Sequence, residues 1–152
     1  IVKRMGDEGR KDEMLLLTKE LWQRVDEGKL DAKFGKGWLL YQMCLTAQKD
    51  GFEVSNLNMC SSAKNLIEEV ASNDKIKILW ISTQAMDTLG DMYAQGIGVA
   101  KSKYLAVDWY VKAGEQMLSN GNRDGALKVM EKGLEIVPDH KSLLRLREQI
   151  LR

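Results

Sequence analysis

The sequence predicts an all-α fold: about seven helices joined by short turns into antiparallel hairpins. Three observations lead there. Apolar residues recur every three or four positions between polar breaks, the spacing that gathers them on one side of a helix. No stretch sustains the β-branched alternation of a half-buried strand. Proline occurs once, at Pro138, so the rest of the chain lacks the strongest helix breaker.

The first helix is predicted from Asp7 to Glu27, with Met14, Leu17, Leu21 and Val25 on one stripe widened by Leu15, Leu16 and Trp22. Gly28 stands where a left-handed residue would end it. Asp31 is the expected N-cap of a second helix, which passes through Trp38, Tyr41 and Leu45 and stops before Asp50-Gly51. A loop from Phe52 to Asn58 leads to a third helix, Cys60 to Ala71, whose Ala63, Leu66, Ile67 and Val70 should be buried. Asn73-Asp74 breaks that helix and starts a fourth, running to Gln95 on a stripe that includes Ile81, Ala85, Leu89 and Met92. Gly96-Ile97-Gly98-Val99 reads as a turn, with Val99 tucked back between the helices. Ser102 opens a fifth helix to about Leu118, and Asn120-Gly121-Asn122 closes it. The sixth spans Arg123 to Ile136 and stops at Pro138; Asp139 should cap the last, which carries Leu143, Leu144, Leu146 and Ile150.

A chain of 152 residues with 44% hydrophobic content fits one domain. At that length folding buries about 68–70% of the unfolded surface, enough for a core without staples. The net charge of +1 argues against nucleic-acid or membrane binding, both of which need a basic stripe. Lys128, Lys132, Arg145 and Arg147 near the end are interleaved with Glu131, Glu135, Asp139 and Glu148, the pattern of a solvated helix face. No apolar run approaches the ~20 residues of a membrane span. Cys44 and Cys60 fall on neighbouring predicted helices, within reach of a bridge, although buried thiols behaving as small apolar residues are the expectation. The cytoplasm is the expected compartment.

The most informative stretch runs from Ala85 through Leu89-Gly90, Met92-Tyr93, Gly96 and Gly98-Val99, then Ala106, Trp109-Tyr110 and Ala113. It resembles a Sel1-like repeat. Gly90 lies mid-helix, where it costs roughly 1 kcal/mol against alanine, so a close neighbour is expected there, with Ala106 and Ala113 as the small-residue face. Trp109 and Tyr93 would fill the space beside them. From Val107 to Pro138 the chain also resembles a tetratricopeptide unit: Tyr110 and Gly114 stand in one helix, Ala126, Met130 and Gly133 in the next. Met117 replaces the usual aromatic.

The resemblance implies a single helical-repeat domain over 1–152, stacked as a short right-handed α-solenoid. Within it, 7–72 are degenerate N-terminal helices, 83–114 the Sel1-like repeat, 107–138 the tetratricopeptide-like unit, and 140–152 a capping helix. Between 32 and 72 only Ala32, Gly37 and Tyr41, with Ala63, Leu66, Ile67 and Val70, echo the pattern.

Catalytic and ligand motifs are sparse. Gly96-x-Gly98 and Gly35-Lys-Gly37 lack the third glycine and strand-to-helix setting of a phosphate loop. His140 is the only histidine and reads as a surface residue, with no metal-ligand spacing around it. Glu68-Glu69 and Asp7-Glu8 are adjacent and so point to different helix faces. The eight methionines mostly fall on core stripes. No catalytic residue, cofactor or metal is expected, and the chain reads as a non-enzyme.

The expected function is protein–protein interaction. The resemblance implies a concave face lined by Gln84, Asp87, Thr88 and Asp91 from one helix and Asp108, Val111 and Glu115 from the next, suited to a basic or polar peptide. A carboxylate-clamping site would want Lys or Asn where Val111 and Glu115 stand. The alternative is a small chaperone for a secreted client, and a homodimer fits either reading.

Overall fold

The computed structural model describes residues 30–73 and 80–152. They form α1 (Leu30–Lys49), α2 (Asn58–Ala71), α3 (Trp80–Gln95), α4 (Lys103–Ser119), α5 (Arg123–Ile136) and α6 (Lys141–Leu151). Among the described residues there is no strand. The helix predicted over Asp7–Glu27 and the start of the one predicted from Asn73-Asp74 lie outside them. Each helix packs chiefly on its sequence neighbours: α1 on α2, α3 on α4, α5 on α6, with α2–α3 and α4–α5 contacts joining the pairs. No helix among the described residues is long and apolar enough to cross a membrane.

The helix ends follow the local chemistry with two corrections. Ser102 Oγ accepts the Leu105 N–H at 3.2 Å, and Asn122 Oδ1 accepts that of Gly125 at 3.0 Å, so both supply the acceptor that a helix start lacks. Asp31, however, lies inside α1 rather than before it. At α6 the cap is His140, not Asp139. His140 directly precedes the first helical residue with extended backbone, and its Nδ1 accepts the Leu143 N–H at 3.4 Å; Asp139 comes one residue too early.

One apolar cluster runs from Tyr41 to Ile150 and takes in Met86, Met92, Met117 and Met130. The plug of the α3–α4 turn is Ile97, wholly buried, while Val99 is only half-buried. Gly96 and Gly98 both hold positive φ (71° and 70°), a shape that few other residues adopt without strain. The Ile97 N–H is tied to the Met92 carbonyl at 2.9 Å, and the side chain between the two glycines is carried inward.

A single interlock recurs in the three hairpins. A methyl added to Gly90 of α3 would come within 2.6 Å of Tyr110 Cδ1 in α4. At Gly37 of α1 it would meet Ile67 Cγ1 of α2 at 2.7 Å, and at Gly133 of α5, Leu143 Cδ1 of α6 at 2.6 Å. The first helix of each pair gives up a side chain so that a large one from the second can seat on its backbone. Ala106 and Ala113 are buried as expected, but the group lying on Gly90 is the Tyr110 ring. Residues 32–72, which echo the repeat only faintly in sequence, therefore carry the same packing device.

Cys44 of α1 and Cys60 of α2 are joined in a disulfide, with Cα atoms 5.8 Å apart and neither residue exposed. This corrects the expectation of free buried thiols. The α1–α2 packing brings the two positions together, whereas their separation of 16 residues specifies no pairing.

Candidate functional site

Helical spacing places Gln84, Asp87, Thr88 and Asp91 along one side of α3. Thr88 is the exception to their exposure. It is 3% exposed, and its hydroxyl donates to the Gln84 carbonyl at 2.7 Å, which satisfies it within the helix and leaves its methyl to the core. It is therefore removed from the partner-facing set.

Asp87 and Asp91 are not free acids. Lys132, one hairpin further along, donates to Asp87 Oδ1 at 2.8 Å and reaches Asp91 Oδ1 at 3.3 Å. Tyr110 of α4 donates its hydroxyl to Asp91 Oδ1 at 2.6 Å, and Lys132 Nζ also lies 5.8 Å from the centre of the Tyr110 ring. The pairs are half-sheltered: the Asp87, Asp91 and Lys132 side chains are 20%, 25% and 42% exposed. Sheltered charges of this kind bind more strongly than surface pairs, which contribute little.

The titration behaviour follows from this setting. Burial raises the Asp91 carboxyl above its ordinary value, and the negative Asp87 adds to that, against the Tyr110 hydrogen bond and Lys132. Burial also works against the Lys132 ammonium, but the two carboxylates outweigh it and hold its pKa up. Tyr110 is pushed far above the usual phenol range by burial and by Asp91. Tyr41 of α1 is raised by burial and by the negative charge of the same two aspartates.

Beside the cluster runs a groove of about 350 Å³ between α3 and α5, lined by Gln84, Asp87, Asn122, Asp124, Lys128 and Lys132. The residues expected from α4 do not join it. Glu115 lines a separate cleft of about 500 Å³ with Ala71, Met86, Trp109, Lys112 and Gln116, where Lys112 Nζ sits 4.5 Å from the Trp109 ring. Asp108 is exposed, Val111 is half-buried, and neither lines either of these two clefts. The reason is rotational. Tyr110 turns toward Gly90 of α3, and Asp108 and Glu115 lie roughly opposite it around the helix axis.

Four of these groove residues were missed from sequence: Asn122, Asp124, Lys128 and Lys132. The signal available was weak, two lysines four apart on α5, with nothing to say that they face aspartates one hairpin earlier. His140 is held as a helix cap and both sulfurs are engaged with each other, so the histidine and cysteines form no nucleophile–base pair. Among the described residues, no group of three His, Cys, Asp or Glu side chains is placed to hold a metal ion. No family model, curated protein or solved structure matches the chain.

Proposed function

We propose that this protein is an interaction scaffold of the Sel1-like/tetratricopeptide kind, its hairpins stacked as a short right-handed solenoid with a polar peptide or protein partner held between α3 and α5. The observation that carries this reading is the groove. It is open, bordered by both signs of charge, and its Asp87–Lys132 pair stands beside the half-buried Tyr110–Asp91 bond, since Lys132 also reaches Asp91. A preorganised strip of alternating donors and acceptors suits an extended polar segment, since little ordering cost is left for binding.

The pairing with Lys132 changes the chemistry expected of the partner. An unpaired acidic face would select a basic peptide; with Lys128 and Lys132 beside Asp87 and Asp124, the groove selects a segment carrying both charges or amides. The test is affinity capture from cells of the source organism with wild type, Gln84→Lys, Lys128→Glu and Asp108→Lys. The first two changes should lose the captured partner and the third retain it. Retention in all three would remove the groove from the reading.

The Cys44–Cys60 bridge supports a second reading, a chaperone for a secreted client. Such bonds persist in oxidising compartments and are rare in the cytosol. We therefore place the protein in an oxidising compartment rather than the cytoplasm. Protein extracted from its own cells under thiol-blocking conditions should keep both cysteines unlabelled; labelling of both would return the cytoplasmic assignment.

A further inference from the structure

We propose that the outer face of the α5–α6 hairpin is a twofold interface between two copies of this chain. The inner sides of the two helices face the rest of the molecule: Ala126, Val129, Leu143 and Leu146 are buried, and Lys132 reaches α3. Away from those residues, Leu127 and Leu134 of α5, both half-buried, and Leu151 of α6 border a hollow of about 440 Å³ that also reaches the buried Met130. The earlier hairpin α3–α4 has its forward side covered by α5 and α6. Nothing among the described residues covers α5 and α6 in the same way.

Two features point to a second copy as the occupant. The face holds both a knob and a hole: Leu151 is 73% exposed at the rim of the hollow. It also holds both signs of charge, with Arg147 on α6 and Glu131 and Glu135 on α5. Among the described residues these three form no ion pair. A twofold axis through the hollow sets each Leu151 into the hollow of the other copy and each Arg147 against the other's glutamates. Self-complementarity of this kind is what an isologous interface requires. A net charge of +1 offers little repulsion between copies. Two short helices side by side, each ~10 Å across and ~20 Å long, make a face of about 400 Å² per copy, about 800 Å² in total, the size of a weak and transient contact. The dimer is therefore weak and reversible, with a dissociation constant of roughly 0.1 mM.

Sedimentation equilibrium of the full chain from about 10 μM to about 1 mM tests this. Wild type should shift from monomer to dimer across that range. Arg147→Glu and Leu151→Asp, both at exposed positions and so harmless to folding, should each weaken the dimer about tenfold or more. Adding Glu131→Arg and Glu135→Arg to Arg147→Glu should restore it, because the charges are then exchanged across the axis. Wild type that stays monomeric throughout, a dimer indifferent to both single changes, or a failed restoration would each overturn the proposal. Arg147 and Leu151 lie on α6 and line no part of the groove between α3 and α5, so partner capture there is unaffected by Arg147→Glu or Leu151→Asp and the two readings fail separately.

Discussion

The first two hairpins use the same interlock but close their open ends by different means. In α3–α4 the turn itself does the work. Two glycines with positive φ reverse the chain, Ser102 caps α4, and the Ser102 N–H returns to the Tyr93 carbonyl at 2.9 Å. In α1–α2 Gly51, also at positive φ, ends the first helix, and the Phe52 N–H closes on the Ala47 carbonyl at 3.1 Å. Leu57, however, stands at the N-cap of α2 with no side-chain hydrogen bond. There the tie is covalent, Cys44 to Cys60. Where the second helix starts without a side-chain cap, a crosslink limits the freedom of the unfolded chain instead; where Ser102 caps it, hydrogen bonds suffice.

The largest expected effect bears on the covalent half. Replacing both cysteines by alanine should lower the stability by about 3 kcal/mol, the loop-closure value for a bridge of this span. Hydrogen exchange should quicken in α1 and α2 more than in α4 and α5; an equal loss throughout would mean that the bridge holds the whole stack. Next comes Gly90→Ala, which forces a methyl against the Tyr110 ring. Overpacking of this kind costs about 1–3 kcal/mol, while an exposed helix glycine would gain about 1 kcal/mol from the same change. Chemical denaturation gives the sign directly. Ser102→Ala should cost about 1 kcal/mol through the lost cap, read as a lower melting temperature.

The smallest effect is one of pH. Asp91 has its pKa raised by burial, so the folded protein holds the proton to higher pH than the unfolded chain. Its ionisation therefore takes stability away as pH rises through the interval above about 4, the ordinary carboxylate value. Asp91→Asn keeps an acceptor for Tyr110 and removes the titration. Wild type should gain on the variant as pH is lowered from about 7 toward about 4. Parallel stability curves would show that the Asp91 carboxyl is not perturbed.

Helix boundaries were legible because caps and breakers are local: Ser102, the Gly96–Gly98 turn and Pro138 each act within a turn or two. What faces what across helices was not. Periodicity marks Tyr110 and Ala113 alike as core, and only the packing selects Tyr110 as the ring on Gly90. Asp91 reads as a solvated acid until Lys132, 41 residues later, is brought beside it. The disulfide was hidden for a similar reason, since two cysteines on adjacent helices fit a bridge or two thiols equally well. Asp108 and Glu115 fall outside the groove between α3 and α5 through one consequence of the overlapping repeats. α4 can be counted as the second helix of one unit or the first of the next, and its facing differs between the two.

Gly98 connects the two hairpins in another way. Its N–H donates to the Val54 carbonyl at 3.0 Å, and its α-carbon is so close to the Cys60 carbonyl that no side chain fits between them. The segment from Phe52 to Leu57 is thus a seat for the next turn rather than a free surface loop. Tags, reporter inserts and circular-permutation breaks belong elsewhere, for example at Asn120-Gly121, where a side chain at Gly121 would meet nothing within 4 Å.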